Sequence, residues 1–334
     1  MANSEHLALL EQGPEAVSDW QQSNPYENLD LEGSDLRALN LKGANLAEAN
    51  LTRAVLDDMD LRGCDLVDAV LLHASLRNTD LSDAVLTGIT ANHCNLLNAN
   101  LTRARINKAD LSWSCLSGVT AEDADFSETD LINSDLTRAN LQRASLSNAV
   151  LIRARLTEAD AREASFRGAD LVDSILRQAV LSDCNFLNAR LIHADLNAAV
   201  LQRAVLGDVE LSNLSNADLT DADLEDSRVV ESHLNEADLH SANLTHADLR
   251  GADLRGADLT DADLKDTNLA GAKLANVLVS GSDFWEILAE RRARPHDFNR
   301  LMKQWEVVAN SNLYGHPAYV LRERHEKPVN SDPL

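Results

Sequence analysis

The chain carries an aliphatic residue, or a smaller or aromatic substitute, at every fifth position over most of its length. Leu31, Leu36, Leu41, Leu46 and Leu51 open one series that holds phase to Leu211, and Leu214, Leu219 and Leu224 open a second that holds phase to Phe284. An α-helix repeats its apolar face every ~3.6 residues and a strand every ~2, so neither gives this spacing. A third geometry must turn each fifth side chain inward, and a period sustained this long means a solenoid of stacked units.

The neighbours of each central residue, here called i, are patterned too. Position i−2 is small, as in Ala44, Ala49, Ala54, Ala69 and Ala74, and again in Ala237, Ala242, Ala247 and Ala252. Position i−1 is often Asp or Asn, as in GANLAEANL and GADLRGADLTDADL. This A(D/N)LXX pattern resembles the pentapeptide repeat proteins and covers residues 29–284. The resemblance implies an all-β solenoid, a right-handed quadrilateral β-helix with four pentapeptides per coil, i and i−2 inside and the other positions outside. A narrow tube holds one large side chain per face only beside a small neighbour, which agrees, and Asp and Asn suit tight corner turns. The two series hold 52 central positions, or about 13 coils and a rod roughly 60 Å long at ~4.8 Å per coil. Each buried Leu contributes about 2 kcal/mol gross, and such side chains fill the interior and leave no substrate cavity.

With twenty residues per coil, residue n lies over n+20, so columns are legible in the sequence. Phe126, Phe166 and Phe186 share one inner face, and Ala121 and Ala161 stand where a Leu would precede the first two. Each Ala–Phe pair reads as volume compensation, because overfilling a core costs about 1–3 kcal/mol. Leu181 precedes Phe186 without compensation. The step from Leu211 to Leu214 is three residues, either a shortened turn or an insertion before Leu219. Counting Leu214 as central puts Phe284 in the column of the other Phe residues, which favours the shortened turn.

Three outer columns stand out. Asp83, Arg103, Asp123, Arg143, Glu163, Asp183 and Arg203 form a ladder of largely alternating sign that reads as exposed ion pairs between coils. Leu72, Asn92, Ser112, Ile132, Ile152, Val172 and Ile192 form a second, with consecutive aliphatics at a position that is elsewhere mostly polar. That stripe is either β-propensity on an exposed strand or a docking strip for a partner, a second copy or this chain's own tail. Beside it run Arg53, His73, His93, Trp113, Asn133, Arg153, Asp173 and His193, where His73 and His93 should stack one coil apart. A metal site needs more ligands than this pair, so none is expected. Exposed Trp, Arg and His are interface residues, and the two columns make one candidate partner face: Arg53, His73, His93, Trp113, Ile132, Ile152, Arg153, Val172, Ile192 and His193.

Charge narrows the classes. The net charge is −24; residues 1–29 carry five acids and no base and residues 285–334 seven acids and eight bases, leaving about −20 on the array. Such a surface repels nucleic acid and anionic membranes. No apolar run of 18 residues and no signal core occurs, which reads as a cytoplasmic protein. Cys64, Cys94 and Cys184 occupy the small i−2 position and read as buried hydrophobes, whereas Cys115 is out of that phase and open to contact. No P-loop, GxGxxG, GxSxG or HExxH is present, and carboxylates on convex walls give no reason to expect acid–base catalysis. The expectation is a non-enzyme without cofactor.

A bare β-helix exposes unpaired strand edges, so both ends should be covered. Residues 1–28 offer Ser4 as an N-cap, Pro14 as a helix start and Pro25 as a stop, with Leu7, Leu9, Leu10, Val17 and Trp20 to cover the first coil. Residues 285–324 read as a helical cap or dimerisation segment: Asp283 and Asp297 read as N-caps, and Phe298, Leu301, Met302, Trp305 and Val308 fall at helical spacing. Phe284, Trp285, Phe298, Leu301 and Trp305 are the candidate cap or dimer residues, and the chain is a monomer or a homodimer through its C-terminal helices. Residues 325–334 read as a disordered tail.

These features point first to a non-enzymatic interaction scaffold, an acidic rod presenting a side wall to a protein partner. The resemblance implies an alternative, since some pentapeptide repeat proteins mimic DNA in the saddle of DNA gyrase, a type II topoisomerase, and protect it from inhibitors. Residues 218–266 suit that reading best, with fourteen acids and four bases.

Overall fold

The computed structural model describes residues 3–281, 284–290, 295–310 and 318–324. Asn50 bridges in parallel to Asp30 and Val70, Asn100 to Asp80 and Thr120, and the same twenty-residue step recurs along the array. The bridging residue is i−1, in the middle of a short face running from i−2 to i. Leu46 N donates to Asp65 O at 2.6 Å, and Asp65 N to Ala44 O at 3.0 Å, so the ladder continues through each coil.

Positions i+1 and i+2 make the corners. The next residue's N–H returns to the carbonyl of i, as from Ala44 to Leu41 at 2.9 Å. The third residue of this four-residue turn takes a positive φ, as type II turns require. Gly43 sits there at +68°, but so do Arg53 at 57° and Asn78 at 56°. The corner N–H groups are themselves tied to the next coil, Arg53 N to Leu72 O at 2.8 Å, which offsets the left-handed conformation. The Asp and Asn residues expected at the corners lie one step outside them, at i−1. Their side chains accept the N–H of the first corner residue, Thr52 N to Asn50 Oδ1 at 3.2 Å and Val67 N to Asp65 Oδ1 at 3.1 Å. A short acceptor two residues back thus tightens each corner from beside it.

Positions i and i−2 fill the interior. A hydroxyl at i−2 stays satisfied by donating to a carbonyl, as Thr79 does to Leu56 O and Thr129 to Ile106 O, both at 2.8 Å. Cys64 donates its thiol to Leu41 O in the same way, and burial pushes that thiol up to about 11. Phe166 and Phe186 stack flat, centroids 4.8 Å apart and planes within 6°. That separation matches the ~4.8 Å coil rise, so the second ring needs less extra room than volume alone suggests. At Ala91 no Phe compensates the missing Leu, and an apolar void of about 10 Å³ is left between Leu71, Leu96, Leu111 and their neighbours.

The register break lies a few residues earlier than the sequence places it. Arg190 pairs with Asp208, Asp195 with Asn213 and Val205 with Asp223, a step of eighteen, and Asn213 to His233 returns to twenty. Two residues are missing from the corner between Leu206 and Val209. Val209 is fully buried, whereas Leu211, read above as central, is 44 % exposed at a corner with φ +54°. Gly207 makes the short cut possible. A Cβ there would lie 2.7 Å from Ala189 O and 2.8 Å from Phe186 O. Beyond the break, Leu206 is followed in its column by Leu224, Leu244 and Leu264, whereas Phe284, counted into that column above, opens a helix.

The helices α1 (Ser4–Leu10) and α2 (Pro14–Ser23) precede the first coil. Asn3, not Ser4, caps α1, its side chain accepting Glu5 N. Leu10 and Val17 are buried in the core, with Leu7, Leu9 and Trp20 packed against it. His6 Nδ1 accepts the N–H of Asp30 at 2.9 Å, and Asn3 N donates to Asp30 O at 3.0 Å. These bonds satisfy backbone groups at the open edge.

The C-terminal segment is only partly helical. After β1 (Leu278–Val279) come α3 (Phe284–Glu290), α4 (Phe298–Gln304), β2 (Trp305–Asn310) and β3 (Ala318–Glu323). The strands form an antiparallel sheet in the order β1-β3-β2. Trp305 and Val308, expected on a helix, lie in β2, where Trp305 pairs with Glu323 and Val308 with Val320. Val307 and Val308 are β-branched and favour the strand. Leu321 N donates to Val277 O and Asn276 N to Leu321 O, both at 2.9 Å, so β3 occupies the edge of the last coil. Asp297 caps nothing with its side chain. Asp283 and residues 325–334 lie outside the described residues.

Candidate functional site

One corner of the rod gathers most of the candidate residues. Its first column holds Ile132, Ile152, Val172 and Ile192, all half-buried, and its second Arg53, His73, His93, Trp113, Arg153 and His193, all exposed. Both columns follow from the bridge register, since residues twenty apart stand on adjacent coils. The rings of His73 and His93 stack with centroids 5.1 Å apart, and those of His93 and Trp113 at 6.1 Å. Their planes lie within 14° and 21°, so three rings form one continuous stack on consecutive coils. Trp113 remains 57 % exposed at its far end. Arg153 reaches Asp173 on the next coil at 3.6 Å.

The short coil changes this corner. Because Arg190 aligns with Asp208, Leu211 follows His193 in the second column and Glu210 follows Ile192 in the first. Leu211 therefore continues the apolar surface onto the coil after Ile192. The sequence reading missed it by assigning Leu211 to the core. Trp113 and Leu211 are both at positive φ, 62° and 54°, a conformation that Gly, Asn and Asp adopt more readily.

The ion-pair column lies on the opposite corner, ten residues away in a twenty-residue coil. Arg103 pairs with Asp83 at 2.7 Å, Arg143 with Asp123 at 2.8 Å and Arg203 with Asp183 at 2.6 Å. The arginine hydrogen bonds hold those three carboxyl groups below the usual aspartate range. All are solvent-exposed, where such pairs contribute little to stability. In the acidic stretch, Asp218, Asp238 and Asp258 stack on consecutive coils. Arg255 and Lys273 both reach Asp253, at 2.7 and 3.1 Å, and the Arg255 hydrogen bond is the main cause of that carboxyl's low protonation range.

Glu225, Asp226 and His246 bring three ligand-type atoms within 4.8 Å of one another on another corner, all exposed. His246 lies 3.4 Å from Asp226 and 3.6 Å from Asp266, one coil to either side. The sequence reading missed this cluster, although its twenty-residue spacing was visible. Phe284, Trp285, Leu301 and Trp305 are buried and Phe298 packs against the core. Trp285 contacts Phe284 and Phe298, at 5.0 and 5.9 Å between centroids. These candidate dimer residues are thus taken up by their own chain.

The model of the family described as pentapeptide repeats matches eight times, over residues 30–68, 49–88, 79–118, 122–157, 139–178, 174–213, 212–251 and 247–285. No curated protein matches. Among solved structures, HetL, a pentapeptide repeat protein involved in heterocyst differentiation regulation from the cyanobacterium Nostoc sp. strain PCC 7120, is 28 % identical at TM-score 0.40. The match covers 79 % of this chain and 95 % of that one. A thylakoid-lumen pentapeptide repeat protein of Arabidopsis thaliana is 26 % identical at TM-score 0.23, covering 28 % of this chain and 64 % of that one. QnrB1, a plasmid-mediated fluoroquinolone resistance protein, is 17 % identical at TM-score 0.29, covering 62 % and 91 %.

Proposed function

We propose that this chain, which belongs to the pentapeptide repeat family, is a non-enzymatic scaffold that offers one corner of its rod to a protein partner. On this reading the rod has thirteen coils with both ends covered, and it works without a cofactor. Among the described residues no helix is long and apolar enough to cross a membrane; we place the protein in the cytoplasm. The observation that supports the reading is the exposed ring stack of His73, His93 and Trp113 continuing into the aliphatic stripe. Rings and aliphatics held in rigid register lose little side-chain entropy on contact. Changing His73, His93 and Trp113 together to Ala should remove a partner captured from source-cell extract by the wild type. Retention of every wild-type partner would exclude this corner.

A second reading is a DNA mimic acting on gyrase. The stacked Asp218, Asp238 and Asp258 favour it, as carboxylates at ~4.8 Å intervals approach the charge density of a polyanion. B-DNA carries one charge per ~1.7 Å, and the arginine pairs at Asp248 and Asp253 dilute the match. Excess protein should then inhibit gyrase supercoiling or relieve quinolone poisoning; no effect in either assay ends this reading.

A further inference from the structure

We infer that the apolar corner from Ile132 to Leu211 receives the apolar face of a basic amphipathic helix lying along the rod, an inference that rests on the scaffold reading above. The stripe supplies the first part of the match. Ile132, Ile152, Val172 and Ile192 stand on consecutive coils, so the stripe repeats every ~4.8 Å. A helix presents one face every ~5.4 Å, and a crossing angle of about 27° brings that pitch into step with the coil rise. A strand repeats one face every ~6.6 Å and needs a crossing angle of about 43° to keep step, which carries it sideways off the stripe about twice as fast.

Length gives the second part. Trp113 and Leu211 stand five coil steps apart on one column, roughly 24 Å, or about 16 helical residues at ~1.5 Å each. Both end residues hold large apolar side chains in the left-handed region, at φ 62° and 54°, with 57 % and 44 % of their surface exposed. The left-handed backbone is common to the corners of the rod, Ala198 included, so what marks these two positions is the large exposed apolar side chain each one presents on the same corner.

Charge selects the sign of the partner. On the stripe and the three columns bordering it between Asp130 and Asn213, acids outnumber arginines seven to three, and Arg177 and Arg228 outside those columns pair with Asp195 and Glu210. Arg153 lies against Asp173 and Arg190 against Asp170, while Arg155 is the arginine left beside the stripe. Asp130, Asp135 and Asp208 form no ion pair among the described residues and sit where flanking lysines or arginines of a helix would reach them. The net charge of −24 adds long-range attraction for a basic segment.

An 18-residue fluorescein-labelled peptide of Leu and Lys, with Leu at intervals of three and four, is the probe. Fluorescence anisotropy should show it binding the full-length wild type, and at least tenfold more weakly the variant Ile152→Asp/Val172→Asp, whose circular dichroism should match wild type. A peptide of the same composition, scrambled so that its leucines fall on no single helical face, should bind as weakly as that variant does. Equal binding to wild type and variant, or by both peptides, reduces the interaction to general charge attraction and overturns the inference. The capture experiment above separates the two failures. If the cellular partner still depends on His73, His93 and Trp113, the corner stands as an interface and only the partner's class falls.

Discussion

Gly207→Ala should destabilise the rod by about 2 kcal/mol, the middle of the range for overpacked sites. The added Cβ would sit 2.7 Å from Ala189 O and 2.8 Å from Phe186 O, and 3.2 Å from Ala189 N. All three are backbone atoms of the preceding coil, so no side chain can swing aside to make room. The cause is contact and not conformation. Gly43 supplies the control, because a Cβ there meets nothing within 4 Å although φ is +68°. Gly43→Ala should cost about 1 kcal/mol for the left-handed backbone alone, a conformation that Arg53 and Asn78 already hold. Urea midpoints of the two variants decide the matter. If Gly207→Ala shifts the midpoint no more than Gly43→Ala, the eighteen-residue coil is not held by that close approach.

The same few residues show what the sequence could and could not reveal. A twenty-residue period makes vertical neighbours legible, so the stacking of His73 on His93 and the pairing of Arg103 with Asp83 follow from counting. Phase is different. Val209 and Leu211 are equally apolar and two residues apart, and only the fit of Gly207 against the coil below shows which one turns inward. That ambiguity hid the last residue of the apolar corner. In the C-terminal segment, Trp305 and Val308 satisfy a helical spacing from Phe298 as well as a strand does, and partner β3 decides between them. The Asp and Asn residues at i−1 were correctly tied to the turns, but their place beside the corner depends on the acceptor reaching two residues ahead.

Core volume yields the other large effect. Ala121→Leu should cost about 1–3 kcal/mol, because the room next to that position is already taken by the fully buried Phe126. Adding Phe126→Leu to it should recover most of the loss, since the double variant restores the plain arrangement seen one coil on at Leu141 and Leu146, both fully buried. Side chains that share one space couple in this way, whereas distant ones add. Ala91→Leu tests the converse. Leu96, not Phe, follows it, and the void of about 10 Å³ between Leu71, Leu96, Leu111 and their neighbours shows space left unfilled. That void is smaller than the added side chain, so the surrounding leucines must shift slightly, and the substitution should leave the urea midpoint unchanged or raise it. The contrast between the two alanines is the decisive observation. If Ala121→Leu is as harmless as Ala91→Leu, or if Phe126→Leu fails to rescue it, then the alanines before the phenylalanines do not balance volume, and the interior tolerates an extra leucine by widening the coil.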